Sequence, residues 1–246
     1  MTQPNLEPST GVQSEGRDRP ILFSGPMVRA LLAGRKTQTR RAIKPIPLSA
    51  CASPLISFNH GIAEYSFGRA DKDARGLKWW RCPYGQPGDR LWVRETYQVE
   101  PHPAQFVRVF YAKDEATEER RVWPAGDPRW MQADRLWTEP DVWRPSIHMP
   151  RWASRITLEV TDVRVERLQD ISEEDAQAEG ITHWGDGFHW EANAGWPGEP
   201  EGMKSVRFVG LSAKQAYMGL WEQINGRESL DANPWVWAVS FRTPRA

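Results

Sequence analysis

Apolar and polar positions alternate most clearly in YGQPGDRLWVRETYQV (84–99), QFVRVFYAKD (105–114), RITLEVTDVRVERL (155–168) and PWVWAVSFRT (234–243). A period of two puts successive side chains on opposite faces of a strand, so each stretch predicts one. In the first, the QPGD turn leads into Leu91, Val93 and Glu95 opposite Trp92, Arg94 and Thr96, and QFVRVFYAKD is expected beside it as a hairpin partner or near neighbour. In the third, Ile156, Leu158 and Val160 share a face, and a shift of phase after Thr161-Asp162 predicts a bulge. Shorter strands are expected at PILFS (20–24) and TQTRRAIK (37–44).

Helical periodicity is sparse. Val28, Leu31 and Leu32 make one apolar stripe, with Ser24 or Gly25 as cap, Pro26 at the first position and Gly34 as the stop. ISEEDAQAEGI (171–181) combines Ser172 and Asp175 in an approximate capping box with Gly180 as its stop. LSAKQAYMGLWEQING (211–226) sets Ala216, Leu220 and Ile224 in phase between a Ser212 cap and Gly226.

Five or six mostly non-consecutive strands with few short helices predict an α+β, mainly β fold: a small mixed or antiparallel β-barrel. Long Trp-rich insertions are expected near 45–83, 115–150 and 182–210. At 246 residues the chain fits a single domain over 20–246, behind a polar, Pro/Gly-rich N-terminal leader (1–19) expected to be disordered. There is no internal repeat.

The 32 Lys+Arg balance the 32 Asp+Glu, so any affinity for nucleic acid must come from a local patch. From Arg19 to Ala63 there are seven cations and no acid, whereas 114–119 and 170–179 are strongly acidic. No apolar run reaches the roughly 18 residues of a membrane helix and no signal-peptide core is present, so a cytoplasmic protein without membrane contact is expected. Cys51 and Cys82 stand in unlike contexts without a metal-ligand pattern, and both read as reduced thiols. Fourteen Trp serve either as anchors for irregular loops or as faces on which bases stack.

Known enzyme signatures are missing: no P-loop, GxSxG, HExxH or dinucleotide fingerprint occurs. His183 and His189 lack a supporting carboxylate pattern, so no metal is expected and no other cofactor is indicated. LLAGRKTQTRR (31–41) is the richest stretch. Arg35 and Lys36 follow a helix C-terminus and meet its negative dipole end. Arg40, Arg41 and Lys44 beside hydroxyls are equally compatible with a phosphate- or base-binding wall, and a threonine activated by a lysine with acyl chemistry. Glu179 at the C-terminal end of its helix faces the negative end of the dipole, an unfavourable position that invites a functional reading.

These residues resemble the ASCH domain family. The resemblance rests on FSGPMVRALLAGRKTQTRR, CPYGQPGDRLWVRET, the long strand leading into ISEEDAQAEG, and NGRESLDANPWVWAVSF, in that order over most of the chain. It implies the PUA-like barrel and is nearest to the larger ASCH proteins of phages and prophages, which act in the bacterial host cell. Some small bacterial members are N4-acetylcytidine amidohydrolases whose lysine and threonine lie in a GRKTxT stretch. The resemblance carries these onto Lys36 and Thr39, and the family's glutamate onto Glu179, as catalytic residues. Arg35, Arg40, Arg41 and Lys44 are then expected to bind substrate, a modified nucleoside, nucleotide or RNA. Removal of an acyl group from a cytidine-like base is the first expectation, a non-catalytic RNA- or nucleotide-binding protein the alternative, and a ribonuclease a further one. Because strict alternation separates Lys36 from Thr39, Lys36 is expected in the turn after Gly34.

Overall fold

The computed structural model describes residues 16–44, 64–67, 78–102, 106–112, 118–122, 127–137, 142–184, 187–189 and 212–243. The strands are β1 (Asp18–Leu22), β2 (Gln38–Ala42), β3 (Glu64–Phe67), β4 (Lys78–Arg81), β5 (Arg90–Arg94), β6 (Tyr97–His102), β7 (Phe106–Tyr111), β8 (Glu118–Val122), β9 (Thr157–Arg167), β10 (Thr182–Trp184), β11 (Gly187–His189) and β12 (Trp235–Arg242). The helices are α1 (Gly25–Leu32), α2 (Pro128–Leu136), α3 (Glu173–Ala178), α4 (Ala213–Asn225) and α5 (Arg227–Asp231).

A mixed sheet of order β1-β5-β9-β12-β2 organises the fold. β1 runs parallel to β5, and the other neighbours are antiparallel. The expected closed barrel is not found: β1 and β2 are the two edges, with no ladder between them among the described residues. A side chain spans the gap instead, Arg41 donating from Nη2 to the Leu22 carbonyl at 2.6 Å. The chain is therefore α+β around an open sheet.

The local expectations hold closely along this sheet. Ser240 pairs with Asp162 and Phe241 with Val160, leaving Thr161 as the bulged residue. The shift carries the apolar face from Leu158 and Val160 to Val163 and Val165, all buried in one core with Leu91, Val93, Val239 and α1 residues Val28 and Leu31. β12 is buried on both faces along Val236–Val239, since Val236 packs into a second core built by Ala176 of α3 and Ala216, Tyr217 and Leu220 of α4. Its unbroken apolar run reflects that two-sided burial. β1 begins at Asp18, so the last two residues of the predicted leader are strand, and residues 1–15 lie outside the described residues.

The expected pairing of 84–99 with 105–114 is found for its last residues only: Tyr97, Gln98 and Val99 of β6 pair antiparallel with Tyr111, Phe110 and Val109 of β7. The first part of the stretch, β5, joins the main sheet instead, while β6, β7 and β8 form a separate three-stranded sheet. That sheet has its own core of Tyr97, Val99, Val107, Val109 and Tyr111 with Ala133 of α2. The break falls at Glu95, which points inward to a buried bidentate pair with Arg155 at 3.1 and 2.9 Å. Part of the predicted 115–150 insertion is thus structured as β8, α2 and a 3-10 turn at Ser146–His148. Of the 45–83 and 182–210 insertions, the β3–β4 and β10–β11 pairs and residues 82–83 are described, and the remainder lies outside the described residues. No helix among the described residues is long and apolar enough to cross a membrane.

Candidate functional site

α1 ends at Gly34, whose φ of 68° turns the chain back. Arg35 and Lys36 both donate their backbone N–H to the Ala30 carbonyl, at 2.8 and 3.1 Å. Lys36 therefore sits in the turn ahead of β2, which resolves the conflict of alternation with Thr39. From there its side chain enters the protein and meets α3 end-on. Nζ donates to Oε2 of Glu179 at 2.6 Å and to the Glu179 carbonyl at 2.8 Å.

Glu179 is the C-cap of α3, which starts with the Ser172 hydroxyl accepting from the Asp175 N–H. Both Lys36 (2% exposed) and Glu179 (5%) are buried. The awkward position of Glu179 against the helix dipole is thus answered by the Lys36 ammonium, which binds the carboxylate and the helix-terminal carbonyl together. Burial foremost lowers the Lys36 pKa, with Arg41 and Arg40 acting in the same direction and Glu179 opposing them.

Beside this pair a recess of about 70 Å³ opens to solvent, lined by Thr39, Arg40 and Arg41 of β2, by Glu179, by Met27 of α1 and by Tyr217, Leu220, Trp221, Ile224 and Asn225 of α4. The volume is well below the roughly 300–1,000 Å³ that engulfs a drug-sized ligand, so the recess suits the reacting end of a ligand. Thr39, Arg41 and Glu179 of the expected site converge here.

The other expected residues divide. Lys36 is not in the wall of the recess; it stands behind Glu179. Arg40 reaches the wall with all of its N–H groups engaged by the protein. Nε and Nη2 donate to Glu166, Nη2 also to Asp175 at 2.8 Å, and Nη1 to Gln38 and to Oε1 of Glu179 at 3.5 Å. Burial works against its charge, yet Glu179, Tyr217 and Glu166 outweigh it and raise the Arg40 pKa. Arg35 lines a smaller adjoining recess with Glu179 and Gly180. Lys44 is exposed past the end of β2 and is absent from the wall.

Arg41 is different. Among the described residues it makes no ion pair; its guanidinium lies 5.4 Å from the Phe23 ring centre and donates to Leu22, and its buried Nε has no partner. A buried donor left unpaired costs about 1–3 kcal/mol, so this atom is suited to a ligand oxygen.

Residues missed by sequence reasoning complete the wall. Tyr217 is buried in the wall of the recess beside Glu179, and its ring lies 5.9 Å from the Arg40 guanidinium. Trp221 lines the recess, whereas Trp92 and Trp237 are core residues. Tyr217, Leu220, Trp221 and Ile224 follow the i, i+3, i+4, i+7 spacing of one helix face, a signal that reads as core. Ile224, expected in the core, is 53% exposed at this recess.

Among the described residues no cluster of three or more His, Cys, Asp or Glu is placed to hold a metal ion. Cys82 is buried, which pushes its thiol pKa up to about 12, and Cys51 lies outside the described residues. Comparisons with protein-family models, curated proteins and solved structures find no match to this chain.

Proposed function

We propose that the chain is an ASCH-type, PUA-like protein that hydrolyses an amide on a modified nucleobase, removing the acyl group from the exocyclic amine of a cytidine-like nucleoside. The observation that carries this reading is the meeting of Thr39, Arg41 and Glu179 on one recess, with Lys36 bonded behind the glutamate.

In this reaction the Glu179 carboxylate takes a proton from the Thr39 hydroxyl or from a water beside it, and the freed oxygen attacks the acyl carbonyl. The carbonyl oxygen gains negative charge and is held by the unpaired Nε–H of Arg41. Collapse breaks the C–N bond, Glu179 returns its proton to the departing amine, and one water is consumed overall. Where Thr39 is the nucleophile, that water hydrolyses the acyl-threonine. Lys36 holds and orients Glu179 and does not touch the substrate.

Release of cytidine from N4-acetylcytidine, followed by liquid chromatography, tests the reading. Wild type should release it, and Thr39→Val and Glu179→Gln should not. Retained turnover in either variant would remove that residue from the mechanism. A second reading, a non-catalytic binder of RNA or nucleotides, is favoured by the cation of Arg41 without a carboxylate partner among the described residues. The two differ at Glu179→Gln, which should leave anion binding equal or tighter while abolishing hydrolysis.

A further inference from the structure

We infer that the outer face of β1 and β5 carries a second anion site, separate from the recess, in which Arg94 and Arg151 take a phosphate group of a nucleotide. The site needs no hydrolysis at Glu179 and stands whether or not that carboxylate acts as a base.

Leu91 and Val93 are buried in the core, so alternation puts Arg90, Trp92 and Arg94 on the opposite face of β5. Register brings Asp18, Pro20 and Leu22 of β1 alongside them, all three exposed. The Arg94 guanidinium lies over the Trp92 ring at 4.7 Å from its centre, and that of Arg151 lies 5.9 Å from the same ring. The neighbouring arginines have carboxylates: Asp18 accepts from Arg90 at 2.7 Å and from Arg151 at 3.2 Å, and Glu159 pairs with Arg242 at 2.9 Å. Arg94 has no hydrogen bond or ion pair among the described residues, and its Nε is buried without a partner.

Stacking on an aromatic face steadies a guanidinium and leaves the N–H groups along its edge free, the geometry that grips an oxyanion at two points. With Arg242 cancelled by Glu159, three guanidiniums (Arg90, Arg94 and Arg151) face one carboxylate (Asp18), an excess of two positive charges. A phosphate monoester, at about −1.5 to −2 near neutral pH, matches that excess, whereas a carboxylate ligand would neutralise only part of it. Arg94 is also the register partner of Leu22, whose carbonyl accepts from Arg41 of the recess. The two sites therefore meet at the end of β1, where a nucleotide can touch both.

Calorimetric titrations of the full chain with cytidine, cytidine monophosphate and an oligocytidylate without terminal phosphates test this. We expect the monophosphate to bind about tenfold tighter than cytidine, and Arg94→Gln to remove most of that gain while cytidine affinity stays the same. The gain should fade below about pH 6, as the phosphate takes up its second proton. A loss at Arg94→Gln confined to the oligonucleotide, with a salt slope reduced by about one, would keep the site and assign it to backbone phosphodiesters. Equal affinity of wild type for cytidine and both phosphorylated ligands would overturn the inference, as would phosphorylated ligands that bind Arg94→Gln as tightly as wild type. Should Arg94→Gln unfold, the exposed Arg151 decides: Arg151→Gln should weaken monophosphate binding about threefold, and an unchanged affinity would overturn the inference.

Discussion

Lys36 binds Glu179 twice, through the carboxylate at 2.6 Å and through the helix-terminal carbonyl at 2.8 Å. Both side chains are withdrawn from solvent. A simple catalytic lysine could be replaced by alanine at little cost to the fold, but a buried partner of this kind cannot. Removing one member of a buried pair strands the other charge, at about 3–5 kcal/mol. We therefore predict that Lys36→Met lowers unfolding stability by about that amount, and that Lys36→Met with Glu179→Leu recovers much of it. Urea denaturation of the three proteins measures this, and an Lys36→Met variant within about 1 kcal/mol of wild type would refute it.

The same cluster should shape stability in alkali. Burial foremost depresses the Lys36 pKa below 10.5, so between the folded value and about 10.5 the unfolded chain binds the extra proton. Stability attributable to Lys36 therefore rises with pH across that window. Tyr217 acts in the opposite sense: with its pKa well above 10.0, the unfolded chain loses its proton first, and stability falls as pH climbs past about 10. Each limb is bounded at about 1.4 kcal/mol per pH unit per group. Urea midpoints between pH 7 and 11 should lose the rising limb in Lys36→Met. The falling limb should shrink in Tyr217→Phe without vanishing, because burial also raises the pKa values of Tyr84 and Tyr97.

Two glycines offer a controlled comparison. Gly180 has φ of 101°, and a methyl group there would lie 3.3 Å from Cβ of Ala30 and 3.5 Å from Cβ of Lys36. Gly34 has φ of 68° and nothing within 4 Å of the same added atom. Alanine at Gly34 should cost only the backbone term, about 1 kcal/mol. Alanine at Gly180 should cost more, about 2–3 kcal/mol, because the backbone strain is joined by pressure on the turn that holds Lys36. Equal losses in thermal or urea unfolding would argue that the packing of Gly180 against Lys36 is slack.

What local pattern can carry was legible. The bulge at Thr161, the Ser172 and Ser212 caps and the placing of Lys36 before β2 all follow from residues a few positions apart. Pairing over long separations was not. Nothing near Glu95 announces that its partner is Arg155, 60 positions away, or that the chain changes sheets between them. The charge network was opaque for the same reason: Arg40 read as part of a phosphate- or base-binding wall because Glu166 and Asp175, which occupy it, come from β9 and α3. Tyr217 was hidden differently, since a tyrosine in helical phase with Leu220 and Trp221 has the signature of packing whether or not its hydroxyl has work to do.

Arg41 offers the sharpest separation of site from scaffold. Its Nη2 holds the Leu22 carbonyl across the sheet opening, and its Nε is buried without a partner. Lysine retains the positive charge but presents one ammonium in place of the fork, so it can serve the carbonyl or the ligand, not both. Arg41→Lys should therefore lower kcat/KM for an acylated cytidine about 10²-fold, the scale of losing one donor to a developing oxyanion, while stability falls by about 1 kcal/mol or less. If the residue instead grips an anionic ligand by charge alone, lysine should suffice and binding should change little at low salt. Parallel titrations of turnover and of nucleotide binding on this one variant, at two salt concentrations, separate directed hydrogen bonding from a point charge.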